Sequence, residues 1–86
     1  MQTTDETIEM FNQIKNKLKI FPSFNINDMY FKNDEIIYKI DNISSTMLKQ
    51  IIESIENTQY LMFIESDQNS KVVINIFKRK YAYTPH

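Results

Sequence analysis

Apolar side chains recur along this chain first at helical spacing, then at alternate positions, and then again in the same two modes. From Thr3, with Glu6 three residues on as a capping box, Ile8, Phe11, Ile14 and Leu18 fall on one helical stripe. Acids occupy the first turns and Lys15, Lys17 and Lys19 the last, as the helix dipole favours. Pro22 cannot continue a helical hydrogen-bond ladder and is expected to end the element.

Ile26 to Asp41 reads as a hairpin turning at Asn33-Asp34, two residues that tolerate the left-handed backbone of a tight primed turn. A two-residue loop sets Lys32 opposite Glu35, Tyr30 opposite Ile37 and Asp28 opposite Lys39 on one face. Met29, Phe31, Ile36, Tyr38 and Ile40 then share the other face. Charge pairs on one side and apolar groups on the other is the outcome a correct register produces.

A second helix follows, capped by Ser44 or Ser45, with Ile43 and Leu48 as a hydrophobic staple. Its stripe is Leu48, Ile51, Ile52 and Ile55, and Asn57 suits a left-handed C-terminal position. A second hairpin runs from Gln59 to Ser66, turns around Asp67-Gln68-Asn69-Ser70, and returns from Lys71 to about Arg79. With the turn centred on Gln68-Asn69, Leu61 and Phe63 share the core face with Val72, Ile74 and Ile76.

The predicted fold is α+β, in the order αββαββ, with a four-stranded antiparallel sheet and both helices packed on one face. Residues 1–86 form a single domain, with residues 82–86 expected to be a flexible end. Met10-Phe11-Asn12-Gln13-Ile14 matches Met47-Leu48-Lys49-Gln50-Ile51 in pattern, compatible with an internal duplication or with convergence on helix-forming residues. Deep burial is expected at Phe11, Leu18, Phe31, Ile36, Leu48, Ile52, Leu61 and Ile74.

Composition narrows the chemistry. The chain has no cysteine, which removes disulfides, thiolate nucleophiles and zinc–thiolate sites, and fits a reducing, cytoplasmic setting. Glycine is absent too, so neither a phosphate-cradling loop nor a dinucleotide fingerprint can be built. The longest apolar run, Tyr60 to Ile64, is far short of the ~20 residues of a membrane span. His86, the one histidine, is the last residue. Asp5, Glu6 and Glu9 lie where a helix start favours acids, and Glu53 and Glu56 read as a solvated face. No catalytic, cofactor-binding or metal-ligating set emerges, and no enzymatic activity is expected.

The order αββαββ resembles the core of the LAGLIDADG homing endonucleases. That family's first helix needs small residues, chiefly glycine, followed by a metal-binding acid. Here Ile8 to Ile20 has no glycine and carries Lys17 and Lys19, so the resemblance is confined to topology.

Two surfaces remain. Tyr60, Met62, Ile64, Val73 and Phe77, with Tyr30 and Ile37 from the first hairpin, form a second apolar face that two helices on one side cannot cover. This predicts docking on a protein partner, or a homodimer through the open sheet face. The alternative is that the Ile20–Asn25 segment or the C-terminal tail folds over it. Lys78, Arg79 and Lys80 interleaved with Tyr81 and Tyr83 form a basic-aromatic run, the basis of an alternative nucleic-acid-binding reading. Ile, Asn and Lys, all with AT-rich codons, supply 32 of the 86 residues. That bias points to a low-GC genome. It suits a phage or mobile-element inhibitor of a host system, of the anti-CRISPR type, acting in the host cytoplasm.

Overall fold

A computed structural model describes residues 3–69 and 71–79 of the chain. Residues 82–86, expected to be flexible, lie outside the described residues, as do Lys80, Tyr81, Tyr83 and His86. Helix α1 spans Asp5–Leu18, a 3-10 turn covers Ile26–Asp28, and strands β1 (Met29–Lys32) and β2 (Glu35–Ile40) follow. Helix α2 (Ser45–Ile55) and strands β3 (Tyr60–Ser66) and β4 (Val72–Lys78) complete the α+β order. The antiparallel sheet runs β1-β2-β4-β3. Two αββ units thus meet through their second strands, leaving each first strand at an edge. Among the described residues no helix is long and apolar enough to cross a membrane.

Thr4, rather than Thr3, caps α1: its side chain accepts the Thr7 N–H at 3.3 Å. The buried stripe is Thr7, Met10, Ile14 and Leu18, with Thr7 and Met10 in place of Ile8 and Phe11, and the helix ends at Leu18, ahead of Pro22. Ser44 caps α2, accepting from Met47 N–H at 3.2 Å, and Met47, Ile51, Ser54 and Ile55 face inward. Met10, Ile14 and Leu18 on one helix and Met47, Ile51 and Ile55 on the other bury the same i, i+4, i+8 ladder against the sheet. Ile8 and Ile52 are left exposed on the helix flanks. Asn57 adopts φ 62°, the left-handed stop expected of it.

The first hairpin has the predicted register, Lys32 with Glu35 and Tyr30 with Ile37. Asn33 and Asp34 both take positive φ, 51° and 65°, as a type I′ turn requires. Asp28 is taken into the 3-10 turn instead of pairing with Lys39, and Lys39 reaches Asp67 at 2.7 Å.

The second hairpin departs by one residue. Ser66 pairs with Val72 and Leu61 with Phe77, so five positions, not four, separate the strands. Asp67 is the cause. Its N–H donates to the Lys71 carbonyl at 3.0 Å, and its Oδ1 accepts from Asn69 N–H (2.8 Å) and Lys71 N–H (3.0 Å). Asp67 and Lys71 close the wider loop, and β4 starts only at Val72.

A one-residue slip turns a strand over. Strand β4 keeps the predicted facing, with Ile74 and Ile76 buried, but in β3 it is Tyr60 and Met62 that join the core. Of the eight positions expected deep, Leu18, Ile36 and Ile74 are fully buried. Phe11 and Leu48 are half-buried, and Phe31, Ile52 and Leu61 are exposed. Phe31 still stacks on Phe11, with ring centroids 4.4 Å apart, at the rim of the core.

Candidate functional site

The face of the sheet turned away from the helices is built by register. Antiparallel partners lie on the same face, so Tyr30, Ile37, Asn75 and Phe63 form one row across all four strands. Leu61 and Phe77 form a second row, and Glu65, Val73 and Lys39 a third. Phe63 is 55% exposed, and Tyr30 and Leu61 are exposed as well. Val73 and Phe77 are half-buried. A hollow of about 230 Å³ lies over Ile37, Val73 and Asn75, rimmed by Tyr30, Lys32 and Glu35. Apolar side chains flank Asn75 at the centre, and Lys32, Glu35, Lys39 and Glu65 stand around them.

Of the two stretches that could have folded over this face, the C-terminal tail lies outside the described residues and the Ile20–Asn25 segment goes elsewhere. Phe21 and Phe24 pack against the core, Phe24 with its ring 5.9 Å from Tyr38 on the helix side. Asn75 breaks the apolar row, and its buried Oδ1 has no partner among the described residues. An unmade hydrogen bond of this kind costs about 1–3 kcal/mol that an apolar side chain would avoid.

The residues assigned to this face from sequence divide. Tyr30, Val73 and Phe77 are there and accessible to differing degrees. Ile37 is there too, but its neighbours cover it to 5% exposure, making it floor rather than contact surface. Tyr60, Met62 and Ile64 are on the opposite, helix-bearing face, because of the slip in β3. Tyr60 is 4% exposed and its hydroxyl bonds Thr7 Oγ1 at 2.7 Å. Burial raises the Tyr60 pKa, with the Thr7 hydroxyl and Lys78 opposing the shift. Leu61 and Phe63 take the vacated places on the open face. Glu65 was the available signal, since the assumed core face of β3 would have carried that charge inward beyond Leu61 and Phe63.

Of the basic-aromatic run, Lys78 is already occupied. Its Nζ lies 3.0 Å from Glu6 Oε1, 2.9 Å from Thr4 Oγ1 and 3.6 Å from Asp34 Oδ2. The Glu6 bond leads in raising its pKa. Burial disfavours the charged form of Asp34. The Thr4 N–H, the Thr7 and Thr4 hydroxyls and Lys78 together outweigh that, holding the carboxyl below its ordinary value. This cluster ties the start of α1 to the β1–β2 turn and the end of β4. Arg79 is exposed.

Elsewhere, the Tyr38 phenol is pushed up to about 12 by burial and by the negative charge of Asp28. Its hydroxyl has no partner among the described residues. Among the described residues no three His, Asp or Glu side chains gather so as to hold a metal ion. No protein-family model, curated protein or solved structure matches this chain.

Proposed function

We propose that this chain is a small protein-docking module that presents the open face of its sheet to a protein partner. The observation that carries this reading is the apolar surface of Tyr30, Leu61, Phe63, Val73 and Phe77, lying over Ile37 and away from both helices. Exposed apolar patches of a few hundred Å² on small proteins commonly mark interaction sites. Aromatic side chains at the centre are the residues that dominate such interfaces. A role as an inhibitor of a host system, carried by a phage or mobile element, draws on the AT-rich codon bias and small size. Nucleic-acid binding is the weaker reading, because Lys78 is committed to Glu6, Thr4 and Asp34.

The test compares two baits, the native chain and a Tyr30→Ala/Phe77→Lys variant, after circular dichroism has shown both folded. Proteins retained from a low-GC bacterial lysate by the native bait and lost from the variant are the expected partners. Identical retention on both baits would sink the assignment of this face.

A further inference from the structure

The two edges of the sheet are guarded differently. Strand β1 has four residues, ends in Lys32 and is preceded by a 3-10 turn carrying Asp28. Strand β3 has seven residues, runs without a bulge along β4, and contains neither proline nor lysine. Leu61, Phe63 and Ile64 are all exposed on it, covering both of its faces. Native edge strands are usually short, bulged or charged, because a long bare edge invites another strand.

The hydrogen-bond alternation identifies the groups this edge offers. Arg79 N–H donates to the Gln59 carbonyl, so residues 59 and 79 are a bonded pair. By alternation Leu61, Phe63 and Glu65 spend their backbone groups on β4. Met62, Ile64 and Ser66 therefore direct theirs outward. Tyr60 N–H, on the same alternation, is taken by Thr58 Oγ1 at 3.0 Å.

We propose that β3 pairs antiparallel with β3 of a second copy, about a twofold axis through Phe63, to make one eight-stranded sheet. Residues opposed across an antiparallel pair share a face, and complete overlap of Tyr60–Ser66 with itself meets that condition. It sets Phe63 against Phe63, Met62 against Ile64 and Leu61 against Glu65 of the other copy. Met62 and Ile64, both offering outward backbone groups, meet as bonded pairs. Phe63 meets its counterpart at a non-bonded site, where Cα atoms approach to about 4.5 Å and aromatic side chains pack across strands. Glu65, the strand's one charge, is offset from its copy by four residues, roughly 13 Å, so like charges are not opposed. A slide of two residues keeps the faces aligned but shortens the overlap. A second copy is the occupant because the strand is its own complement in groups, faces and charge. The pairing is carried by the edge backbone and draws Leu61 and Phe63 of the open face to its seam, and it stands whether or not Tyr30, Val73 and Phe77 dock a partner.

The chain lacks cysteine, so one introduced thiol is unique. Light scattering of the native chain should give twice the 10.4 kDa of one copy. Under mild oxidation the Phe63→Cys variant should cross-link to itself. Leu61→Cys and Glu65→Cys should each stay uncross-linked alone and cross-link when mixed. Ile64→Pro, which deletes an outward N–H at an edge position proline tolerates, should shift the protein to monomer without changing its far-ultraviolet dichroism. A native chain that is monomeric at high concentration overturns the proposal. So does self-linking of Leu61→Cys or Glu65→Cys as fast as Phe63→Cys. A dimer that survives Ile64→Pro and loses its mass in Tyr30→Ala/Phe77→Lys would instead place the contact on the open face.

Discussion

The Thr7–Tyr60 hydrogen bond tests the register of β3 more directly than any apolar truncation. Both side chains are buried and their oxygens are 2.7 Å apart, joining α1 to the first residue of β3. Thr7→Val preserves volume and strands the Tyr60 hydroxyl without a partner, a loss of about 1–3 kcal/mol. It should fall toward the upper end, because Thr7 also contacts Thr4 Oγ1 at 3.2 Å and supports the Asp34 carboxylate. Tyr60→Phe leaves Thr7 its contact with Thr4, so its cost should be nearer 0.5–1.5 kcal/mol, roughly one net hydrogen bond. In the double variant nothing is left to strand. The two losses should then fall short of adding, with a coupling on the order of 1 kcal/mol. For a domain of this size each kcal/mol shifts Tm by roughly 4–8 °C, well within reach of measurement. The assay is urea unfolding followed by circular dichroism, with midpoints compared at constant slope. Losses that are small for both single variants and strictly additive would mean that Tyr60 faces solvent. In that event the facing of β3, and with it the composition of the open face, would be the reverse of that described.

Tyr38→Phe should act oppositely to Tyr60→Phe, leaving stability unchanged or raising it by up to about 1 kcal/mol, since the Tyr38 hydroxyl is buried without a partner; the same urea assay compares them. Ile74→Ala, at a fully buried position, should cost about 2–5 kcal/mol, whereas Leu61→Ala in an isolated subunit should cost clearly less, and equal losses would place both in the core. Asp34 and Asp67 have lowered pKa values, Asp34 through the bonds described and Asp67 chiefly through Lys39. Their contribution is complete above the unfolded carboxylate value of about 3.9 and is lost as pH falls through the lower folded values. Asp34→Asn/Asp67→Asn should flatten the acid limb of a pH–stability curve, and an unaltered limb would contradict this. For Tyr38 the folded pKa is raised from 10.0 to about 12, so the phenol is neutral in both states below 10, and stability falls as pH climbs from 10 toward 12, where only the unfolded chain ionises it. Ultraviolet titration should show a late-ionising phenol whose amplitude falls in Tyr38→Phe.

Much of this protein is written locally. Positive φ at Asn33 and Asp34 needs residues that tolerate it, and a two-residue loop leaves one register, so the first hairpin and both its faces follow from sequence alone. The serine cap of α2 and the left-handed Asn57 are likewise matters of neighbouring residues. Helix facing was legible only in part. The α1 stripe keeps Ile14 and Leu18 but takes Thr7 and Met10 in place of Ile8 and Phe11, and Thr7 is bonded there by Tyr60, fifty-three residues away. The second loop was expected to span four positions and spans five, for a similar reason. A four- or five-residue connection is equally open to Asp67 and its neighbours, and each gives β3 an apolar face. What selected five positions was the set of bonds around Asp67, including the ion pair to Lys39 on a strand two places across the sheet from β3. The strand order β1-β2-β4-β3 was also decided in three dimensions, because β2 and β4 are separated in sequence by α2 and β3 and pair only through the tertiary fold. An apolar second face could therefore be read from the alternation of side chains, but which β3 residues belong to it could not. That membership depends on a single step of register, and in a strand apolar on both sides only long-range contacts supply the energy difference that fixes it.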